Sequence, residues 1–180
     1  MSKKVLILSA SPRKNSNSEA LALSFADGAR DAGHEVTCIS LREKTIHFCR
    51  GCFTCQKTQR CVIRDGADEI CQQALTADVL VFATPIYYYE MSGQLKTLLD
   101  RLNPLFPSDY AFTDVYLLSS AAEDEDHVPQ RAVSGVEGWI ECFDRARLAG
   151  TLFLGGVTEA GEAQDHPEKL QAAYAMGKEV

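Results

Sequence analysis

The run Val5-Leu6-Ile7-Leu8-Ser9-Ala10-Ser11-Pro12-Arg13-Lys14-Asn15-Ser16-Asn17-Ser18 joins two signals that together predict an α/β fold. Its first four residues are all apolar, which is typical of a short strand buried on both faces of a sheet. The rest leads into a helix, because Ser16 and Glu19 stand in the S-x-x-E arrangement of a capping box and Gly33 provides a stop.

The polar part of this run holds four hydroxyls, two amides and two cations directly before the predicted helix. Free backbone N–H groups and the positive end of a helix dipole bind anions. Neither G-x-x-x-x-G-K-[ST] nor G-x-G-x-x-G is present, so a phosphomonoester held without magnesium is favoured over a P-loop nucleotide. A capped turn without a ligand is the alternative.

The rest of the chain repeats the alternation of strands and helices. Further strands are predicted at 35–41, 78–84, 115–118 and 151–154, and further helices at about 67–76, 92–102, 133–148 and from 167 onward. Five strands in this pattern predict one doubly wound parallel sheet in three α/β/α layers. We expect residues 1–180 to form a single domain with a cysteine-rich insert at about 45–65. Ligands in such sheets bind beyond the carboxyl ends of the strands, here after residues 8, 84 and 118.

Composition excludes several classes of function. A net charge of −7 leaves no basic face for nucleic acid, and no apolar run is long enough to span a bilayer. The apolar run at the start is also too short for a secretory signal. Seven cysteines, an odd number, favour reduced or metal-bound thiols, so we expect a cytoplasmic protein.

The loop after the third predicted strand carries three consecutive tyrosines, Tyr87 to Tyr89, behind Pro85. Flat aromatic side chains at a sheet edge suit a planar ring system, which stacks on them while backbone groups bond its edge. The alternative is that the tyrosines pack inward or cover the next helix.

Four cysteines fall within thirteen residues in the spacing C-x2-C-x2-C-x5-C, at Cys49, Cys52, Cys55 and Cys61. Such thiolates can converge on an iron–sulfur cluster or a tetrahedral zinc ion. A loop of reduced, metal-free or reactive thiols is the remaining alternative. His47 is expected to be a surface or packing residue. The other three cysteines are expected to be buried as small apolar side chains, at Cys38, Cys71 and Cys142.

Two loops of this chain resemble one protein family. The pattern S-x-S-P-R-K-x-S-N-S, followed by T-P-I-Y-Y before S-G-Q-L-K-x-L-L-D-R, is similar to that of the NADPH-dependent FMN reductases. The resemblance spans nearly the whole chain and implies a flavodoxin-like, five-stranded sheet in the order 2-1-3-4-5. The cysteine run resembles that of the iron–sulfur flavoproteins, a branch of this superfamily.

The resemblance implies an FMN site with named residues. The phosphate would be held by Ser11, Arg13, Ser16, Asn17 and Ser18. The isoalloxazine ring would be lined by Pro85, Ile86, Tyr87 and Tyr88, with Ser119 and Ser120 at its other edge. A [4Fe–4S] cluster, if present, would take Cys49, Cys52, Cys55 and Cys61. We expect it close to the isoalloxazine edge, because the cysteines follow the second strand on the same carboxyl side.

The resemblance also implies a function. We expect an FMN-dependent oxidoreductase that moves electrons from a reduced donor, with NAD(P)H a candidate, to a flavin or quinone. It needs no catalytic acid or base, because electron transfer is the flavin's own chemistry. The acidic run Glu123-Asp124-Glu125-Asp126 replaces a glycine-rich loop and would repel a dinucleotide's phosphates.

Two alternatives stay open: an electron carrier between redox-protein partners, and a metal-stabilised binding module without redox function. A homodimer or higher homo-oligomer is expected, without nucleic-acid or membrane partners.

Overall fold

The computed structural model describes all 180 residues. The strands are β1 (Lys4–Ser9), β2 (Glu35–Ser40), β3 (Val79–Tyr87), β4 (Glu90–Met91), β5 (Asp114–Ser120) and β6 (Arg147–Leu154). The helices are α1 (Asn17–Asp31), α2 (Thr54–Thr58), α3 (Gly66–Thr76), α4 (Gly93–Arg101), α5 (Gln130–Ile140) and α6 (Pro167–Lys178). None of these helices has the length and apolar character that spanning a bilayer requires.

Five strands form a parallel sheet in the order β2-β1-β3-β5-β6, with helices on both faces. The parallel α/β architecture is therefore confirmed, but the prediction of five strands in the order 2-1-3-4-5 is wrong in its count. The additional strand, β4, pairs antiparallel with the end of β3. Tyr88 and Tyr89, with φ of 51° and 66°, form the two-residue turn between them. No Asn-Gly or Asp-Gly marked this hairpin in the sequence.

The sheet is buried on both faces by two apolar cores. Alternate residues of a strand point to opposite faces, so Leu6 and Leu8 of β1 pack under α3, α4 and α5. Val5 and Ile7 pack under α1 and α6. This explains the uninterrupted apolar run that the sequence shows in β1.

The start of α1 agrees with the capping prediction, since Ser16 Oγ accepts a hydrogen bond from Glu19 N at 3.2 Å. Gly33 follows the helix with a φ of 87°. Ser92 likewise caps α4, where its Oγ accepts from Leu95 N at 3.4 Å.

One predicted helix, 133–148, is wrong at its end. Helix α5 stops at Ile140, and β6 already begins at Arg147 rather than at Thr151. Phe143 packs edge-on against Phe112 with 5.2 Å between ring centroids, which fixes the turn between helix and strand. This tertiary contact overrides the helical periodicity of the sequence.

Candidate functional site

A groove at the carboxyl edge of the sheet, called here the carboxyl-edge groove, lies between the loops after β1, β3, β5 and β6. Its polar part has a volume of about 160 Å³ and is lined by Ser11, Arg13, Ser16, Asn17, Pro85, Ile86, Tyr87, Ser120, Ala121, Ala122, Val157, Thr158, Glu159 and Ala160. Its apolar part has a volume of about 270 Å³ and is lined by Ile86, Tyr87, Tyr88, Tyr89, Ala121, Ala122, Glu123 and Val128. The two parts share four residues and are continuous.

The polar part lies at the N-terminus of α1, where the backbone amides of Asn17 and Ser18 donate to no protein acceptor. The hydroxyls of Ser9 and Ser18 are buried without a hydrogen-bond partner, but neither side chain lines the groove. Of the serines expected at the phosphate, Ser11 and Ser16 line it. The free amides at the helix N-terminus fit the oxygens of a phosphate group.

Two residues expected at the phosphate also bind the loop after β6. Arg13 Nη1 donates to Thr158 O at 2.6 Å. Asn17 Nδ2 donates to Glu159 O at 2.9 Å, while its Oδ1 accepts from Ala163 N at 2.9 Å. The side chain of Asn17 therefore joins the two loops, which leaves its backbone amide as the group directed to an anion.

The loop after β6, whose residues 157–160 line the polar part, was not among the predicted site loops. The same strand-end rule applies to this fifth parallel strand and would have found it. Gly155 is needed here, because a Cβ at this position would collide with the backbone of Asp124. Glu162 then closes the loop, and hydrogen bonds from the amides of Glu159 and Thr158 lower the pKa of Glu162.

The hairpin after β3 presents its tyrosines differently. Tyr88 is 98% exposed at the tip of the turn. Tyr89 stacks on His127 at 5.7 Å between centroids and lies 5.9 Å below the guanidinium of Arg131. A hydrogen bond to Glu123 raises the pKa of Tyr89. Tyr89 is therefore held by the protein, whereas Tyr88 is not.

The two serines expected beyond the strand are the last residues of β5 itself. Both are buried, but only Ser120 lines the groove. Ser119 points to the other face, as the pleat of a strand requires.

The four cysteines of the motif lie in residues 47–65, called here the cysteine segment. All four line one cavity of about 460 Å³, together with Arg50, Gly51, Phe53, Val62, Ile63, Leu99, Asp100, Asn103, Phe106, Trp139, Cys142 and Phe143. Cys55 is buried, Cys61 is half-buried, and the other two are exposed. No three His, Cys, Asp or Glu side chains converge as ligands of one metal ion, and no cysteine is in a disulfide.

The groups around the sulfurs nevertheless suit thiolates. Gly51 N donates to Cys49 Sγ at 3.5 Å, and Asn103 Nδ2 donates to Cys55 Sγ at 3.0 Å. Such N–H donors stabilise negative charge on sulfur and tune iron–sulfur centres. The chemistry of this donor set therefore fits a cluster, although the sulfurs do not converge.

The remaining two sulfurs also lie beside donors or positive charge. Hydrogen bonds from the amide and hydroxyl of Thr54 lower the pKa of Cys52. Burial lowers the pKa of Arg101, but its hydrogen bonds to Asp65 and the nearby charge of Cys61 raise that pKa above its ordinary value. A permanent cation thus lies next to Cys61.

The cysteine cavity is separate from the carboxyl-edge groove within this chain, and the position of a cluster close to the isoalloxazine edge stays a prediction. The two share no lining residue. Ser92, at the start of α4, donates from its Oγ to Ala10 O at 3.3 Å in the loop after β1, whereas Asp100 in the last turn of α4 lines the cysteine cavity, about 12 Å further along the helix. Because helices run antiparallel to the strands of such a sheet, residues after β2 can pass back along the helices away from the strand ends.

Of the three other cysteines, only Cys71 is buried, and burial raises its pKa to about 12. The prediction is wrong for Cys38, on the edge strand β2, and for Cys142, in the turn after α5. His47 is exposed, with its Nδ1 3.1 Å from Asp65 Oδ2. The acidic run 123–126 is exposed throughout.

Comparison with known proteins gives consistent results. A family model described as NADPH-dependent FMN reductase matches residues 3–133. An iron–sulfur flavoprotein of Methanocaldococcus jannaschii is 36% identical over 102 residues, which cover 57% of this chain and 53% of that protein. An iron–sulfur flavoprotein of Methanosarcina thermophila is 26% identical over 156 residues, covering 86% of this chain and 82% of that protein. The first match thus spans only about half of the relative's length.

Solved structures share the fold at low sequence identity. An NAD(P)H:quinone oxidoreductase from Methanothermobacter marburgensis superimposes with a TM-score of 0.73 at 19% identity, covering 99% of this chain and 98% of that one. An azoreductase from Bacillus anthracis gives a TM-score of 0.74 at 18% identity, and both chains are covered completely. These likenesses establish the flavodoxin-like architecture.

Proposed function

The chain belongs to the NADPH-dependent FMN reductase family, and we propose that it is an FMN-dependent oxidoreductase that moves electrons from a reduced donor to a flavin or quinone. One observation carries the proposal: a single groove has free backbone amides, serine side chains and Arg13 at one end and an apolar, tyrosine-bearing space at the other. FMN has the same two ends, a phosphomonoester and a planar ring.

Residues at the two ends of the groove would bind different parts of FMN. The amides of Asn17 and Ser18 would hold the phosphate, with the charge of Arg13 nearby. Pro85, Ile86 and Tyr87 would form the wall along the ring. When bound, FMN supplies the hydride and electron chemistry, so the protein's task is binding, orientation and exclusion of water.

NAD(P)H is the proposed donor, and the acidic run would weaken its binding. Of the run, Glu123 lines the apolar part of the groove. Like charges repel, and salt screens this repulsion. We therefore expect the KM for NADPH to fall as ionic strength rises, measured by oxidation of NADPH with a quinone acceptor.

An electron carrier of the iron–sulfur flavoprotein type is the second candidate. It is favoured because four sulfurs, each beside a donor or a cation, line one cavity. Cys49, Cys52, Cys55 and Cys61 would then hold a [4Fe–4S] cluster, after movement of the segment brings the sulfurs together.

The assembly belongs to the same proposal. We take residues 1–180 as one FMN-binding domain that works in the cytoplasm as a homodimer. The free state of all seven cysteines supports a reducing compartment. The exposed Tyr88 supports the homodimer, in which a second copy of the chain would cover this side of the groove. Light scattering of the purified protein measures the oligomeric state.

An absorption spectrum with flavin extraction tests the proposal directly. Flavin bands with extracted FMN support the oxidoreductase, and an additional broad absorption that bleaches on reduction supports the carrier. A protein that neither retains nor rebinds FMN contradicts both and leaves a binding module.

A further inference from the structure

The cysteine segment has little regular structure to hold it. Between the turn that ends at Glu43 and helix α3 at Gly66, only the five residues of α2 are helical. The segment begins at His47 and ends at Asp65, directly before α3. Contacts other than secondary structure must hold these two ends together.

Arg101, the last residue of α4, contacts both ends. Its side chain is 1% exposed. Nη1 donates to His47 O at 2.6 Å and to Asp65 Oδ2 at 2.9 Å. Nη2 donates to Ile63 O at 3.1 Å and to Asp65 Oδ1 at 2.9 Å. One planar guanidinium thus binds a carbonyl before the first cysteine, a carbonyl after the last, and a carboxylate.

Asp65 completes the connection from the other side. It is the N-cap of α3, where its Oδ1 accepts from Ala67 N at 3.1 Å. Its Oδ2 also accepts from His47 N at 2.9 Å. The carboxylate therefore joins the entrance of the segment, its exit and the helix that follows.

One donor of Arg101 is left over. Its Nε is buried without a hydrogen-bond partner. Burial lowers the pKa of Arg101, but its hydrogen bonds to Asp65 and the charge of the nearby Cys61 raise that pKa. A buried N–H without an acceptor is uncommon, and a sulfur carrying negative charge would satisfy it.

We propose that Arg101 and Asp65 form an ionic clasp that closes the two ends of the cysteine segment and so positions its sulfurs. Arg101 is a positioning residue in this scheme, because it acts through the cysteines. The proposal rests on the proposed role of the segment as a thiol or metal site. Lysine cannot replace the arginine, because a point charge lacks the planar fork that binds a carboxylate with two N–H groups.

Thiol reactivity tests the clasp without any metal. Chelator-treated protein is exposed to iodoacetamide under reducing, anaerobic conditions, and the modification of each cysteine is followed by peptide mass spectrometry. Arg101→Met and Arg101→Lys are compared with wild type. Arg147→Met, which removes an exposed arginine paired with Asp114, is the control for loss of a charge.

In Arg101→Met, Cys55 should react at least about tenfold faster, because breaking a buried pair opens the segment locally. Cys61 also loses the neighbouring cation that favours its thiolate, so Cys55 is the cysteine that reports the opening. Two cysteines serve as internal references. The exposed Cys38 should keep its rate, and the buried Cys71 should stay slow if the fold is intact. Arg101→Lys should fall between wild type and Arg101→Met, and Arg147→Met should match wild type.

Reconstitution with ferrous iron and sulfide gives the second readout. If wild type takes up iron, Arg101→Met should release it to a chelator about tenfold faster and show a lower midpoint potential, because a cation beside the sulfur favours the reduced centre. If wild type takes up none, the cluster proposal fails while the alkylation rates still decide the clasp. A folded Arg101→Met variant with a wild-type alkylation rate at Cys55 overturns the clasp.

Discussion

The carboxyl-edge groove and the cysteine segment are held in place by different forces. The loops of the groove continue the backbone pairing of the sheet: Ala10 N donates to Ala83 O at 2.8 Å, and Ala121 N donates to Leu154 O at 3.0 Å. The cysteine segment has no such pairing. Ion pairs to buried carboxylates hold it instead: Asp65 is bound to the buried Arg101, and Asp68 to the exposed Arg60.

This difference separates the region that would bind FMN from the region that would control the reactivity of the cysteines. The sheet fixes the shape of a groove at its strand ends. A substitution in one of the groove's loops should therefore weaken ligand binding and leave the fold intact. A segment held by ion pairs depends on single side chains and on pH. Because the two cavities share no lining residue, a substitution in one region should leave the ligand of the other bound.

Replacing Cys52 by Ser should have the largest effect and should be confined to the cysteine segment. If iron binds there, the variant should lose most of it after anaerobic reconstitution, because serine is a poor substitute for a thiolate ligand. FMN should remain bound, since the two cavities share no residue. Iron and acid-labile sulfide assays, with flavin absorption, measure both.

Cys38→Ser is the matched control, because Cys38 is exposed on β2 outside the cavity. Loss of FMN together with iron in Cys52→Ser would contradict the independence of the two regions.

The converse change, Arg13→Ala with Ser18→Ala, should weaken FMN binding by about a hundredfold, because charge-assisted hydrogen bonds to phosphate are lost. Riboflavin, which has no phosphate, should lose little affinity. Fluorescence titration with both ligands measures the difference, and Lys14→Ala, in the exposed turn of the same loop, is the control. Equal losses for FMN and riboflavin would show that this loop does not hold the phosphate.

The same difference explains how far the sequence could be interpreted. The buried run of β1 and the caps at Ser16 and Ser92 are local signals, and the structure agrees with them. The hairpin at Tyr88 has no turn signature, so the short strand β4 was not expected. The clasp joins residues 36 positions apart, and no local pattern of charge indicates such a pair.

The location of the cysteine cavity was also beyond the sequence. The rule on strand ends describes loops, but the cysteine segment is long enough to leave the edge. Its place is set by packing against Leu99 and Trp139 from two other helices. Spacing predicts which atoms share a site, and tertiary packing decides where that site lies.

Acid should destabilise the cysteine segment before the groove. Burial raises the pKa of Asp65, but hydrogen bonds from Arg101 and His47 outweigh it and hold that pKa well below its usual range. Such a carboxylate stabilises the fold above its unfolded pKa, near 4, and this stability is lost as pH falls further. Burial likewise raises the pKa of Asp68, but hydrogen bonds from Arg60 and Arg64 outweigh it and lower that pKa.

Asp65→Asn retains a good N-cap but removes the charge. It should lower the free energy of unfolding by about 2 kcal/mol at pH 7, and the difference from wild type should shrink toward pH 2. Urea unfolding at stepped pH measures this. Asp109→Asn, in an exposed pair with Arg145, should change little at any pH. A constant difference between Asp65→Asn and wild type at every pH would contradict a role for the charge.

The smallest effect is expected at Tyr88, where binding and stability should move in opposite directions. Tyr88 has a φ of 51°, which is strained for a tyrosine, and its 98% exposed side chain makes no packing contacts that would offset this strain. Strain of this kind is typical of functional sites. Tyr88→Gly should relieve the strain and raise the free energy of unfolding by about 0.5–1 kcal/mol. The same change should weaken FMN binding by about fivefold, because an aromatic face that contacts the isoalloxazine ring is lost.

Tyr88→Ala separates the two effects, since alanine removes the aromatic side chain but keeps the strained turn. The affinity for FMN should fall as in Tyr88→Gly, while the free energy of unfolding should not rise. Thermal unfolding and flavin titration of both variants measure the pair. If glycine lowers stability and leaves affinity unchanged, Tyr88 is a packing residue, and the apolar part of the groove holds the ring without it.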